Sequence, residues 1–325
     1  TYSVFKNGYV DLLGVSSHEL YHTWNVKAIR PIEMFPYNFK AENFSELGYI
    51  CEGVTTYQGD LFLLKSGVFD WNHYKIEFNQ QLQKHFDNPG RFNYSVTESS
   101  FDTWLDGYEA GVPGRKVSIY TEGCLLAFVT DVRIRRATKD KYGLDELMKR
   151  LYFDLALQGK GVSEADYKAE IENITGEDWT ELFTDYFHGT KAYEIILADA
   201  LEYIGMELSH VPSPKYSEAK LGIKTMPEGQ NFKVMSVFTG GTADMGGIML
   251  EDDIIAVNGN ACQGELDQWL ELCDNFEKTL LVQRKGKIVE LRLPELQRSF
   301  FNVYSIVEMK NPTNGQVKAL EAWKK

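Results

Sequence analysis

Residues 17–31 read SHELYHTWNVKAIRP, and within this stretch His18, Glu19 and His22 form an HExxH motif. On a helix, positions i and i+4 lie on one face about a turn apart, so both imidazoles can reach a single zinc ion. Glu19 lies beside them and can take a proton from a metal-bound water. The chain has only six histidines, and two of them are used here. The stretch therefore predicts a helix that carries a catalytic zinc site.

A catalytic zinc ion takes three protein ligands and keeps a fourth position for water, so a third ligand must come from elsewhere. Residues 51–57 read CEGVTTY and place Glu52 inside a predicted helix over 46–64. Taken alone, a single glutamate on a helix is more often a solvent-exposed side chain than a metal ligand. Spacing by itself leaves the third ligand open.

Residues 18–31, HELYHTWNVKAIRP, closely resemble the glycyl-aminopeptidase family of zinc metallopeptidases. That family continues its HExxH motif into a TWNVKxxRP segment and has its third zinc ligand in an EGxTxY segment; both occur here in that order. The resemblance implies that His18, His22 and Glu52 bind one Zn²⁺ per chain and that Glu19 is the catalytic base. It further implies a gluzincin-type aminopeptidase that prefers an N-terminal Gly or Ala.

A further match lies at residues 117–123, VSIYTEG, where relatives carry Tyr-x-Lys-Gly. There the tyrosine donates a hydrogen bond to the oxyanion of the tetrahedral intermediate, and the resemblance implies this role for Tyr120. The lysine position is Glu122 in this chain, which departs from the family pattern. A tyrosine that is packed for structural reasons is the alternative interpretation.

Other polar residues near these motifs have less defined roles. Asn25, Lys27 and Arg30 belong to the family signature, and we expect them to support the structure. Thr56 and Asp60 lie one and two turns beyond Glu52 and are candidates for orienting a ligand. The four remaining histidines lack ligand spacing and are predicted to be ordinary surface or core residues.

Residues before about 205 are predicted to be mostly helical. The predicted helices cover 12–27, 46–64, 70–88, 117–136, 143–158, 163–174 and 179–187, and 89–114 is predicted to be an irregular surface segment. The segment VPSPK at 211–215 is the best candidate linker, and short β-like runs with glycine-rich turns follow it. The predicted fold is therefore a multidomain α + β protein. Its predicted parts are a catalytic domain (1–210), a β-rich domain (211–300) and a tail with a short helix (301–325).

Residues from about 218 to 297 resemble a PDZ domain, and the resemblance to the peptidase family implies that the helical domain before it is thermolysin-like. Leu221, Gly222 and Ile223 occupy the place of the carboxylate-binding loop, where backbone N–H groups would receive a peptide C-terminus. Asn258-Gly259 is a strong hairpin-turn signal. The glycyl-aminopeptidase family is also built with a PDZ module after its catalytic domain, so the two resemblances support each other. Peptide binding and a purely structural role of the groove remain equal alternatives.

The chain has 325 residues and a globular composition, with 43% hydrophobic and 25% charged residues. Its net charge of −13 and its lack of a basic block argue against nucleic acid or an anionic membrane as a partner. No apolar run of about 18 residues occurs, so no transmembrane helix is predicted. The four cysteines lack CxxC spacing, and Cys262 and Cys273 are either free thiols or a disulfide. The compartment, bacterial cytoplasm or periplasm, stays open.

The HExxH motif begins only at position 18, whereas metallopeptidases usually place strands that line the substrate cleft upstream of this helix. We therefore expect the chain to be a fragment that lacks part of the cleft. The leading hypothesis is a zinc aminopeptidase that acts on peptides. The alternatives are a zinc endopeptidase, or a PDZ peptide-binding scaffold joined to an inactive fragment.

Overall fold

Helices dominate the chain before residue 206. The computed structural model describes residues 8–106, 111–274 and 276–325. The α-helices of this first part are α1 (Tyr9–Tyr21), α2 (Thr55–Lys65), α3 (Trp71–Asp87), α4 (Val96–Phe101), α5 (Thr103–Asp106), α6 (Ile119–Thr138), α7 (Leu144–Arg150), α8 (Glu164–Thr175), α9 (Thr180–Leu182) and α10 (Glu194–Tyr203). Turns of π-helix lie at Tyr49–Val54, Leu151–Leu155, Phe183–Phe187 and Ser217–Leu221, and 3₁₀ turns lie at Ile32–Met34, Pro89–Phe92 and Ala156–Gln158. Together with the strands that follow, this is the mixed α + β architecture predicted from the sequence.

The chain divides into two compact units. Of the described residues, one unit contains those up to 209 together with 305–325, and the other contains those between 210 and 304. The chain leaves the first unit along β1 (Met206–Pro212) and returns along β8 (Asn302–Glu308), and these two strands pair. No helix among the described residues is both long enough and apolar enough to cross a membrane.

Helix α6 is the centre of the first unit. Nearly every residue from Ile119 to Ile134 is buried, including those on opposite faces of the helix such as Leu125, Phe128 and Val132. A helix that is buried all round must have neighbours on every side. This central position brings its N-terminal residues close to the candidate site described below.

Helix α1 is shorter than predicted. It ends at Tyr21 and has His22 as its C-cap, whereas the sequence predicted a helix up to residue 27. The Asn25 N–H bonds back to the carbonyl of Tyr21, and Val26 adopts a φ of +90° with its N–H donating to the Ile29 carbonyl. The helix therefore stops in a tight turn well before Pro31, and tertiary contacts of Asn25 hold that turn.

The predicted irregular segment over 89–114 is in part helical. It contains the Pro89–Phe92 turn, α4 and α5, whereas residues 107–110 lie outside the described part. Ser95 and Glu98 form a capping box at the start of α4, a signal that the sequence carries but that the prediction missed. Helix α10 was not predicted either.

The second unit contains an antiparallel sheet in the order β2-β3-β4-β6-β7, with β5 paired to β4. Its strands are β2 (Ile223–Glu228), β3 (Asn231–Val237), β4 (Asp253–Val257), β5 (Asn260–Ala261), β6 (Lys278–Arg284) and β7 (Lys287–Leu293). Two short helices, α11 (Thr242–Met245) and α12 (Leu266–Leu272), complete the unit. Asn258 and Gly259 both have positive φ between paired β4 and β5, so the predicted Asn-Gly turn is confirmed.

The last helix, α13 (Asn314–Lys324), belongs to the first unit. Its Trp323 is 1% exposed and donates through Nε1 to the Tyr57 hydroxyl at 2.8 Å and to Asp131 Oδ2 at 3.1 Å. Residues 301–325, which the sequence divides off as a tail, are therefore shared between the units, and most of them complete the helical core. All four cysteines are buried free thiols, so Cys262 and Cys273 do not pair.

Candidate active site

Glu52, which is distant in the sequence, meets His18 and His22 at the end of α1. His18 Nε2 lies 3.2 Å and His22 Nε2 lies 3.4 Å from Glu52 Oε2. One potential ligand atom from each of the three residues lies within 4.8 Å of the other two. Two imidazole nitrogens and one carboxylate oxygen are a donor set that zinc accepts in catalytic sites. The structure thus brings together the three ligands that the resemblance implied.

The helix end positions the two imidazoles. Their ring centroids are 4.6 Å apart, and the ring planes meet at 89°. His22 Nδ1 lies 3.1 Å from the Asn25 carbonyl oxygen. Because a carbonyl only accepts, Nδ1 carries a proton, and in the neutral imidazole Nε2 is then the nitrogen that can bind a metal.

His18 is oriented by Thr56, one turn beyond Glu52. Thr56 Oγ1 lies 3.4 Å from His18 Nδ1 and donates to the Glu52 carbonyl at 2.8 Å. Thr56 therefore contacts one candidate ligand and the backbone of another, as a residue that orients metal ligands would. No hydrogen bond joins Asp60 to a candidate ligand in the described part of the chain. Burial raises the pKa of Asp60 to about 7, with Glu77 adding to the effect and His18 opposing it.

The electrostatics of the three groups favour an ionised carboxylate. Burial of Glu52 raises its pKa, but hydrogen bonds from His18 and His22 outweigh burial and lower the pKa to about 2. The hydrogen bond with Glu52 in turn raises the pKa of His22 above its ordinary value of 6.5. The two histidines and Glu52 can therefore hold a positive charge next to the carboxylate. A metal ion would supply this charge in place of a proton.

Two close backbone contacts set the positions of these elements. A Cβ added at Gly53 would lie 2.3 Å from the Gly123 Cα, and one added at Gly123 would lie 2.5 Å from the Tyr49 carbonyl oxygen. At Gly59, an added Cβ would lie 3.2 Å from the His18 Cα. The turn that carries Glu52 therefore touches α6 on one side, and α2 touches α1 on the other.

Tyr120 lies near the start of α6 and is half-buried. Its ring lies over the His18 ring, with centroids 6.0 Å apart and an angle of 26° between the planes. Glu19, one residue after His18, is exposed on the surface of α1. The two predicted catalytic residues thus belong to the same region as the candidate ligands, Tyr120 by ring contact and Glu19 by its position in the motif.

Glu122, at the position where relatives have lysine, is 2% exposed and has a specific partner. His85 Nδ1 lies 2.8 Å from both of its carboxylate oxygens, and His85 is itself 1% exposed. Arg91 Nη1 lies 3.4 Å from His85 Nε2 and Arg91 Nη2 donates to Glu194 Oε1 at 3.0 Å. Glu122, which stands where relatives have lysine, is therefore part of a buried polar cluster that also contains His85. Nothing in the spacing of His85 could have indicated this.

In the second unit, the segment compared with a carboxylate-binding loop is engaged internally. Gly222 has a φ of +74°, its N–H donates to the Ser217 carbonyl, and its carbonyl accepts from the Phe238 N–H at 2.8 Å. Leu221 is the last residue of the Ser217–Leu221 turn, and Ile223 is the first residue of β2. One of the N–H groups expected to receive a chain terminus is thus already used.

Comparison with known proteins gives a family match and a structural match, both to aminopeptidases. The sequence profile of the M61 glycyl aminopeptidase family matches residues 11–126. No curated protein matches the chain. Among solved structures, an aminopeptidase N family protein from Idiomarina loihiensis matches with a TM-score of 0.86 and 23% identity, over 98% of this chain and 56% of that chain.

The photosystem II D1 C-terminal processing protease matches over 54% of this chain and 44% of that chain, with 13% identity and a TM-score of 0.19, too low to indicate a common fold. The chain shares the fold of the Idiomarina loihiensis protein and spans 56% of its length. The family match includes His18, Glu19, His22, Glu52 and Tyr120. Over residues 11–126, the chain is therefore similar to the M61 glycyl aminopeptidases.

Proposed function

We propose that the first unit is the catalytic domain of a zinc-dependent aminopeptidase with a thermolysin-like fold. The observation that carries the proposal is the convergence of His18, His22 and Glu52 within 4.8 Å, inside the segment that matches the M61 profile. The same donor set would serve a zinc endopeptidase, and similarity to aminopeptidases favours the exopeptidase.

The residues present fit a zinc ion on three counts. Nε2 of His22 is left as the free nitrogen because Nδ1 donates to Asn25, Glu52 is ionised, and Thr56 contacts His18. When bound, zinc would polarise the scissile carbonyl and lower the pKa of a coordinated water. His18, His22 and Glu52 would hold it, leaving a position open for water and substrate.

The protein's own groups would then move protons and stabilise charge. Glu19 accepts a proton from the attacking water and delivers it to the leaving amine, a role that suits a solvent-exposed carboxylate next to a candidate ligand in the chain. Tyr120 donates a hydrogen bond to the substrate carbonyl oxygen as negative charge develops there. The ring contact between Tyr120 and His18 supports this role, because it places the phenol beside a candidate ligand.

Peptides with a free N-terminal Gly or Ala are the proposed substrates, by similarity to the M61 family. The aminopeptidase and endopeptidase hypotheses differ in one measurable property, the need for a free α-amine. A matched pair of peptides, one free and one N-acetylated, separates them, because an aminopeptidase leaves the acetylated peptide intact. Cleavage of both peptides at equal rates would favour the endopeptidase.

The Glu19→Gln variant tests the chemical step. We expect it to retain one zinc per chain by elemental analysis and to lose about 10²–10⁴-fold in peptide hydrolysis, because the proton acceptor is removed without changing the ligands. Glu42→Gln, at an exposed glutamate outside the motif, is the matched control and keeps wild-type activity. A Glu19→Gln protein with full activity and bound zinc would contradict the mechanism, and a wild-type protein without zinc would contradict the proposed function.

We further propose that the second unit has a PDZ-like fold, supported by its antiparallel sheet, two short helices and Asn-Gly turn. A peptide-binding role is the alternative function of the whole chain. The Gly222 N–H, however, already donates to Ser217, which favours a structural module over a receptor for peptide carboxylates. Titration with peptides that end in a free carboxylate or in an amide tests this. Tighter binding of the free carboxylate would restore the peptide-binding role.

A further inference from the structure

Asn25 lies between the two parts of the candidate zinc site, which are the end of α1 with its histidines and the turn that carries Glu52. Its side chain is 1% exposed, and Nδ2 donates to the Ile50 carbonyl at 2.7 Å. Nδ2 also lies 3.3 Å from the Cys51 carbonyl and 3.0 Å from Thr55 Oγ1. All three acceptors flank Glu52 in the chain. A single amide thus holds the backbone on both sides of one candidate ligand.

These acceptors belong to a segment that needs outside donors. Tyr49–Val54 is a turn of π-helix that continues into α2, and a π-helical turn displaces the regular pairing of N–H and carbonyl groups. Thr55 Oγ1 donates to the Cys51 carbonyl at 2.6 Å, so side chains satisfy this carbonyl as well. A buried carbonyl without a donor is destabilising, so Asn25 stabilises the widened turn that presents Glu52.

The same residue also holds the second histidine. The Asn25 carbonyl accepts from His22 Nδ1 at 3.1 Å, which fixes the tautomer and the direction of the ring. Through its backbone it acts on His22, and through its side chain it acts on the Glu52 turn. These two contacts join groups that come from different helices.

The backbone around Asn25 is held under strain. Val26 has a φ of +90°, a conformation that β-branched residues rarely adopt, and such outliers persist only where surrounding contacts require them. Asn25 and Ile29 form a bridge, and the Val26 N–H donates to the Ile29 carbonyl. The strained residue Val26 therefore directly follows Asn25, next to the candidate zinc site.

We propose that Asn25 is a positioning residue that couples the His22 ring to the Glu52 turn and thereby sets the affinity and geometry of the metal site. The proposal rests on the proposed zinc site and assigns Asn25 no contact with substrate. Loss of residues that orient ligands lowers metal affinity by about 10–100-fold. A residue that served only the fold would change the stability of the metal-free protein without altering metal geometry.

The test uses Asn25→Leu, which is close to asparagine in size and removes both donors without adding charge. Asn43→Leu is the matched control, because Asn43 Nδ2 also donates to two backbone carbonyls, those of Asn38 and Ala41, away from the site. Zinc affinity is measured by competition with a chromophoric chelator. Ligand geometry is measured from the visible spectrum of the Co²⁺-substituted protein, and the fold of the metal-free protein from circular dichroism.

We expect Asn25→Leu to bind zinc about 10–100-fold more weakly and to alter the Co²⁺ spectrum, while Asn43→Leu matches wild type in both. If Asn25→Leu does not fold, Thr55→Val removes one acceptor of Asn25 and is expected to weaken zinc binding in the same direction by a smaller factor. Wild-type affinity and an unchanged Co²⁺ spectrum in the folded variant would overturn the proposal. A wild-type protein that binds no metal would instead overturn the proposed function.

Discussion

Glu52 lies within hydrogen-bond distance of one candidate histidine and close to the other, and this contact determines how the metal-free site responds to pH. Hydrogen bonds from the histidines outweigh burial and lower its pKa to about 2, and the pKa of His22 is raised above 6.5. The contribution of His22 to the stability of the metal-free protein is fully present below pH 6.5. It is lost as the pH rises through the raised pKa. The contribution of Glu52 is present above its ordinary pKa of 4.5 and is lost as the pH falls towards about 2.

Zinc binding weakens as the pH falls, whereas the contribution of His22 to the stability of the metal-free protein increases as the pH falls. A proton on His22 must leave before Nε2 can bind a metal, so we predict that zinc affinity falls as the pH is lowered from about 8 to about 5.5. The increase in melting temperature on adding zinc measures this, and it should be larger at the higher pH. Equal increases at both pH values would contradict the prediction.

At the scale of the elements, the site depends on where helices touch. The π-helical turn at Tyr49–Val54 meets α6 through Gly53 and Gly123, and no larger residue fits at either position without a shift of backbone. The segment CEGVTTY identified Glu52 as a candidate ligand, but it did not show that the glycine after it is a contact between helices. That contact joins residues far apart in the chain, and only packing reveals it.

We predict that Gly53→Ala displaces the Glu52 turn. The added Cβ would lie 2.3 Å from the Gly123 Cα, so overpacking should cost about 1–3 kcal/mol of stability and weaken zinc binding. Gly14→Ala is the control within α1, because its nearest neighbour would be Asp60 Oδ1 at 3.9 Å and alanine favours a helix. Denaturant titration measures the stability of both variants, and zinc competition measures their affinity for zinc. A Gly53→Ala protein with wild-type affinity would show that the turn can shift without moving Glu52.

Where a predicted helix exists, its ends are the part of the prediction that differs most from the structure. The predicted helix over 70–88 agrees closely with α3 (Trp71–Asp87), because Asp70 caps it and the apolar spacing is regular. Helix α1 ends six residues early because the side chain of Asn25 bonds to the Glu52 turn instead of facing solvent. Local pattern predicts where a helix can form, and a long-range hydrogen bond can end it sooner.

At the scale of the whole molecule, the most informative contact joins the C-terminal helix to the helical core. Trp323 is buried and donates to both Tyr57 and Asp131, and Arg135 Nε also donates to Asp131, at 3.1 Å. Tyr57 follows Glu52 by five positions, in the helix that continues the site. The last residues of the chain therefore belong to the unit that carries the candidate active site.

We predict that Trp323→Ala destabilises the first unit by about 3–5 kcal/mol, because it leaves a large cavity and removes the donor to Tyr57 and Asp131. Val317→Ala, at a residue of the same helix that is 46% exposed, is the control and should change stability little. Chemical denaturation measures the stability of both variants. It is followed by circular dichroism rather than by tryptophan fluorescence, because one variant lacks Trp323. Equal stability of the two variants would show that α13 is not part of the core.

The sequence by itself determined the residue types of the candidate site, the helical and β-rich parts of the chain and the Asn-Gly turn, because motif spacing and hydrophobic periodicity are local properties. The HExxH spacing indicated His18 and His22 as zinc ligands, whereas Glu52 was named as the third ligand only through a family resemblance. Only the tertiary structure brought these three within 4.8 Å, paired Glu122 with His85 and placed Asn25 between two ligands. The contacts of Glu52 with the histidines, of Glu122 with His85 and of the Asn25 side chain with the Glu52 turn join residues far apart in the chain, and burial and hydrogen bonding in the folded protein decide them.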